Sequence, residues 1–169
     1  MAKVKVSISE SDMKSMVNEI IRQSLPQILN ELERFAKEEL KVAYGDADYN
    51  KHRTQNLKDS YVYGIYYNNV LQRYGFLTDS PTAKEVIKET GTGRWVYGRD
   101  EAKDFILSNK PNSNAMFHIV FGARMYYGAY LENGTRRNKP YTVISSLYQD
   151  LNYGKYLENV KITTQVHTY

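Results

Sequence analysis

The sequence predicts an α+β fold: a long kinked N-terminal helix or helix pair and a C-terminal helix, packed on a small, mainly antiparallel β-sheet. Three observations predict it. Apolar residues recur at helical spacing from Met13 to Leu40. Alternation of period two replaces that spacing from Ser60 and again from Met116. Helical spacing then returns between Tyr141 and Leu151.

The elements follow in order. Lys3-Val4-Lys5-Val6-Ser7-Ile8 alternates and predicts a short strand. Ser9 is placed as an N-cap. Met13, Met16, Val17, Ile20 and Ile21 form a first helical set, and Leu25, Ile28, Leu29, Leu32, Phe35, Ala36 and Leu40 form a second. Between them Ser24-Leu25-Pro26-Gln27 has the form of a capping box with proline in the first turn. Two consecutive helices, or one helix kinked at Pro26, both fit, ending near Tyr44-Gly45. This apolar stripe reads as core or subunit contact, not as a cofactor box.

Gly45 to Lys51 is polar and turn-rich, hence a loop. In the strand SYVYGIYYN, Tyr61, Tyr63, Ile65 and Tyr67 share one face, and Val62, Gly64 and Tyr66 the other. A hairpin is expected at Asn68-Asn69. Residues 71–114 are taken as an insertion or lid-like excursion, with a short helix from Ser80-Pro81 through Ile87 and another from Arg99 to Asn109, stopped by Pro111. Gly91-Thr92-Gly93-Arg94 faintly resembles a phosphate loop but lacks the second glycine, lysine and hydroxyl at their spacing, so turn chemistry explains it better. Met116 to Phe121 predicts a strand ending at Gly122. His118 shares a face there with Met116 and Val120, which favours a satisfied, half-buried imidazole over a ligand. The tail at 152–169 alternates weakly from Val160 to Val166 and offers an edge strand. One domain over 1–169 accounts for the whole length.

Composition narrows the function. With no cysteine, disulfides and thiolate metal sites are excluded. No secretory core opens the chain and no run approaches the roughly 18 apolar residues of a membrane span, so a soluble product is expected. The net charge of +4 gathers in the last third, where residues 116–169 carry six basic and three acidic side chains. Tyrosine, 16 of 169 residues, suits surfaces that are wet alone and dry when paired, although it also caps ordinary sheets.

Groups for catalysis are sparse. His52, His118 and His167 fall in a loop, a strand and the tail, without metal-ligand spacing. No serine sits in a nucleophile elbow. Asp46 and Asp48 begin no calcium loop, although with His52 they outline a nuclease alternative. Neither an enzyme nor a cofactor is expected. Asn133-Gly134-Thr135 has the form of a glycan acceptor but reads better as an Asn-Gly turn. Around it, Glu132 precedes the reversal and Arg136, Arg137 and Lys139 follow it. Such a loop can pair head to tail with a copy of itself. The alternative is a nucleic-acid-binding module, with Tyr126, Tyr127 and Tyr130 stacking bases beside the basic cluster.

Two patches carry a family resemblance. Thr54-Gln55-Asn56-Leu57-Lys58-Asp59-Ser60 is similar to a T-G-x-L-x-x-S patch, with Gln55 where glycine is usual. Tyr127-Gly128-Ala129-Tyr130-Leu131-Glu132-Asn133-Gly134-Thr135, followed by Pro140 and a helix, is similar to Y-A-x-x-x-E-x-G-T. In this order the chain resembles, over about two thirds of its length, the small neck and tail-completion (head–tail joining) proteins of long-tailed bacteriophages, the minor tail components. The resemblance implies a structural virion protein whose copies form a hexameric ring between the capsid connector and the tail. Its partners would be itself, portal or adaptor, and tail terminator or tube proteins. The basic loop would touch a neighbouring subunit or face DNA in the channel.

Overall fold

The computed structural model describes residues 9–46, 55–112, 114–125, 128, 133–134, 136, 140 and 142–147. The expected strand at 3–8, most of the 45–51 loop and the 152–169 tail lie outside the described residues.

The chain is α+β. Helix α1 (Glu10–Asp46) is one helix, not a pair. Ser9 caps it: its Oγ accepts the Asp12 N–H at 3.1 Å and donates to the Asp12 carboxylate at 2.6 Å. Two first-turn acids, Glu10 and Asp12, complement the helix dipole. Pro26 lies within α1 on its exposed side, and because proline has no N–H the carbonyl of the exposed Arg22 loses its usual helical donor. The capping box at Ser24 therefore starts nothing.

Short helix α2 (Gln55–Asp59) leads into strand β1 (Tyr61–Tyr67), which reverses into β2 (Val70–Phe76). Asn68 and Asn69 take φ of 49° and 62°, the left-handed pair that a tight two-residue hairpin demands. Strands β3 (Ile87–Lys88) and β4 (Trp95–Val96) form a separate small hairpin, followed by α3 (Gly98–Ser108) and β5 (Phe117–Ala123). The main sheet is antiparallel in the order β2-β1-β5.

Both faces of this sheet are covered. Tyr61, Tyr63 and Ile65 pack with Leu29, Leu32, Ala36 and Leu40 of α1. Val62 and Tyr66 pack with Ala102 and Ile106 of α3 and with Val120. Residues 70–76, assigned from the sequence almost wholly to an excursion, instead form an edge strand of the main sheet. Arg73 fastens that edge to α1, donating to Asn30 Oδ1 at 2.6 Å and to the Glu33 carboxylate at 2.7 Å. Close approach of α3 depends on Gly122, where a Cβ would stand 2.4 Å from the Phe105 ring.

Two local expectations change. Residues 81–86 are not helical. The backbone N–H groups of Thr82 and Ala83 bond to the distant Asp59 carboxylate, and Ile87 enters a ladder with Val96. His118 is fully buried rather than half-buried, and its Nε2 has no hydrogen-bond partner among the described residues. The turn reading of 91–94 fits: Gly91 and Gly93 have φ of 100° and 69°, and Arg94 is paired with Glu89 and Glu101. Of the C-terminal helix, residues 144–147 are described as helical, and Val143, Ile144 and Leu147 are buried in the α1 cluster.

Tyrosine burial makes the fold sensitive to alkali. Tyr63 is 3% exposed, and burial, assisted by the carboxylates of Glu33 and Asp79, pushes its phenol up to about 12. An unfolded tyrosine ionises near 10, so between pH 10 and 12 the folded chain binds more protons and stability falls as pH rises. Urea unfolding from pH 9 to 11.5 will show an unchanged midpoint below about pH 10 and a decline above it. The expected Tyr63 share is on the order of 2 kcal/mol, so Tyr63→Phe will make the decline shallower. An equally steep decline in that variant would contradict the assignment.

Candidate assembly surface

Of the two family-like patches, the first is largely described and works inside the molecule. Thr54 lies outside the described residues, whereas Asn56, Leu57 and Ser60 are buried. Leu57 joins the α1 cluster, and Ser60 Oγ donates back to the Leu57 carbonyl at 2.8 Å. Asn56 reaches further. Its Oδ1 accepts the Gly98 N–H at 2.8 Å, and its Nδ2 donates to the Glu85 carbonyl at 2.8 Å. Tyr97, at the N-cap position of α3, supplies no side-chain cap, so Asn56 supplies one from 42 residues away. Gly98 is required by this contact, because a Cβ there would lie 1.8 Å from the Asn56 carbonyl oxygen.

Sequence reasoning missed Asp59, which is 0% exposed. Its carboxylate accepts the Thr82 N–H at 2.7 Å, the Ala83 N–H at 2.6 Å, the Thr82 hydroxyl at 2.9 Å and the Thr78 hydroxyl at 3.2 Å. A buried carboxylate persists only when its lone pairs are filled in this way. Arg99 locks the same loop from the other side: it stacks over Phe76 at 4.1 Å and donates to the carbonyls of Thr78 and Asp79. The one available signal was the acid's place between Leu57 and Ser60, inside a patch that the resemblance marked.

The second patch is described only in part. Tyr127, Glu132, Thr135, Arg137 and Lys139 lie outside the described residues, as do Tyr126, Tyr130, Asp48, His52 and His167. Asn133 is helical, and Gly134, with φ of 73°, is the left-handed residue that follows a helix end rather than part of the expected Asn-Gly turn; Arg136 and Pro140 are exposed. Asp46 ends α1. Among the described residues no group of three or more His, Asp or Glu side chains is placed to hold a metal ion, and no helix is long and apolar enough to cross a membrane.

The exposed feature that the fold does create is on α1. Met13, Met16, Val17 and Ile20 are 53%, 57%, 52% and 59% exposed. At 3.6 residues per turn they fall within an arc of about 100°. The arc of Leu25, Leu29, Leu32 and Ala36, which packs on the sheet, is centred about 140° round the helix axis from the ridge, with Ile21 and Ile28 between the two. The helix therefore carries two apolar faces of different orientation. One is satisfied inside the chain; the other forms a ridge flanked by a shallow groove along Glu10, Met13, Lys14, Val17 and Asn18. Contiguous exposed apolar surface of this kind marks contact sites.

Comparison with protein-family models, curated proteins and solved structures gave no match.

Among the described residues nothing covers the ridge, so its removal should cost the fold little. Met16→Ser combined with Ile20→Ser will leave the unfolding free energy of the monomer, from urea titration, within about 0.5 kcal/mol of wild type, as for other surface changes. Leu32→Ala, three turns on, will cost about 2 to 5 kcal/mol. A comparable loss from the ridge variant would mean that the ridge is core.

Proposed function

We propose that this chain is a structural protein of the neck of a tailed bacteriophage, a tail-completion or head–tail joining component. Its copies close into a hexameric ring between the capsid connector and the tail. The observation that carries this reading is the ridge of Met13, Met16, Val17 and Ile20, exposed on a helix whose other face is fully used. Apolar surface of that extent is stabilised by covering it, and a ring of copies offers a cover. The resemblance of the two patches supplies the location. Asn56, Leu57 and Ser60 act on this reading as the scaffold that holds the subunit together, and Arg136 and its neighbours Glu132, Arg137 and Lys139 form the loop that meets the next subunit or the DNA in the channel.

The protein then works by contact, without catalysis or cofactor. Its partners are further copies of itself, the portal or adaptor, and the tail terminator or tube. It is made in the host cytoplasm and resides in the virion. Light scattering on the purified chain, alone and with connector or tail components, tests this. The expected result is a ring, or a monomer that enters a ring when those components are added. A monomer indifferent to every virion component would contradict the reading, and steeply salt-dependent DNA binding by that monomer would put the nucleic-acid alternative in its place.

A further inference from the structure

A second exposed apolar patch lies on the β3–β4 hairpin. Ile87 and Val96, paired in the ladder, turn inward to the α1 cluster, so their neighbours Lys88 and Trp95, also paired, turn outward. Trp95 is 65% exposed and Val86, beside this pair, is 50% exposed. An exposed tryptophan is the residue type that dominates protein contacts when it becomes covered.

The two patches differ in charge as well as shape. The helical ridge has three carboxylates along its turns, Glu10, Asp12 and Glu19, against two cations. Lys14 is already paired with Glu10 at 2.7 Å and Arg22 with Glu19 at 3.0 Å. One negative charge remains in excess. The hairpin face offers Lys88, which makes no ion pair among the described residues. Ridge against ridge would bring together two patches of net negative charge, and hairpin against hairpin two patches that each carry an unpaired Lys88. Ridge against hairpin brings opposite charges together and lays methionine sulfur on an indole ring, a favourable contact.

From this we infer that the α1 ridge of one copy seats on the Val86–Lys88–Trp95 face of the next copy. Because the two patches are different surfaces of one chain, the contact is heterologous. Repetition of a heterologous contact generates a ring when the rotation closes. The inference rests on the assembly reading above and assigns it a pair of surfaces.

Mixing two variants tests it. Met16→Asp with Ile20→Asp spoils the ridge alone; Trp95→Ala with Lys88→Glu spoils the hairpin face alone. All four positions are exposed, and circular dichroism verifies folding; Met16→Ser and Trp95→Ser serve as milder single replacements if either pair unfolds. The expected result is that each variant self-associates at least tenfold more weakly than wild type, while an equimolar mixture forms a 1:1 heterodimer through the one intact half from each. With connector or tail components present if wild type needs them to assemble, either variant assembling like wild type, or a mixture that stays monomeric, would overturn the inference and leave the neck reading standing if wild type still joins virion components. A wild-type chain that remains monomeric both alone and with those components would overturn both.

Discussion

The structure depends most on the buried carboxylate of Asp59. It ends α2 and stands at the entrance to the central strand, and it binds Thr78, Thr82 and Ala83 in a loop that would otherwise run free between the main sheet and the small hairpin. Three residues earlier on the same short helix, Asn56 caps α3. A five-residue helix has little stability of its own. It is worth building because its two polar side chains tie both later segments to β1, and because Leu57 between them enters the core. Position of the hairpin, seating of α3 over the second face of the sheet, and hence burial of that face, all follow from these ties.

That arrangement explains why α1 can be so long. Among the described residues the sheet is three strands wide and offers α1 a surface that begins near Leu25. The turns before it have no partner within the described residues, yet they keep helical order through the Ser9 cap and the ion pairs of Lys14 and Arg22. These surface pairs contribute little individually. Their value is to hold Met13, Met16, Val17 and Ile20 on one line. A rigid ridge loses less freedom on contact than a flexible segment would.

Much of this was legible in the sequence, for reasons specific to each element. Helical spacing from Met13 to Leu40 marked α1, the Asn68-Asn69 pair marked the hairpin because few residues accept a left-handed conformation twice in succession, and alternation marked β1 and β5. Strand β2 was hidden because Gln72 and Arg73 interrupt its pattern, and Arg73 earns its inward place only through Asn30 and Glu33 on another element. The false helix at Ser80 to Ile87 came from local chemistry that Asp59 overrides from more than 20 residues away. Asp59 itself looked like any surface acid, since burial of a charge depends on partners that no local window contains. The apolar stripe was read as core or subunit contact; its part from Leu25 onward is core, whereas Met13 to Ile20 are exposed, a division that only the azimuth of the folded helix sets. Exposure of Trp95 had no signal at all, because alternation in two-residue strands is too brief to define a face.

The most direct test of the account is amide hydrogen exchange on Asp59→Asn, which keeps the side-chain shape while removing the charge and an acceptor oxygen. Exchange should accelerate at Thr82 and Ala83 and across α3, while the global stability falls by about 2 to 4 kcal/mol, as expected when buried donors lose a charged partner. The first turns of α1 should exchange as before. Protection at Thr82 and Ala83 unchanged in the variant, with stability equal to wild type, would show that Asp59 does not hold the structure together.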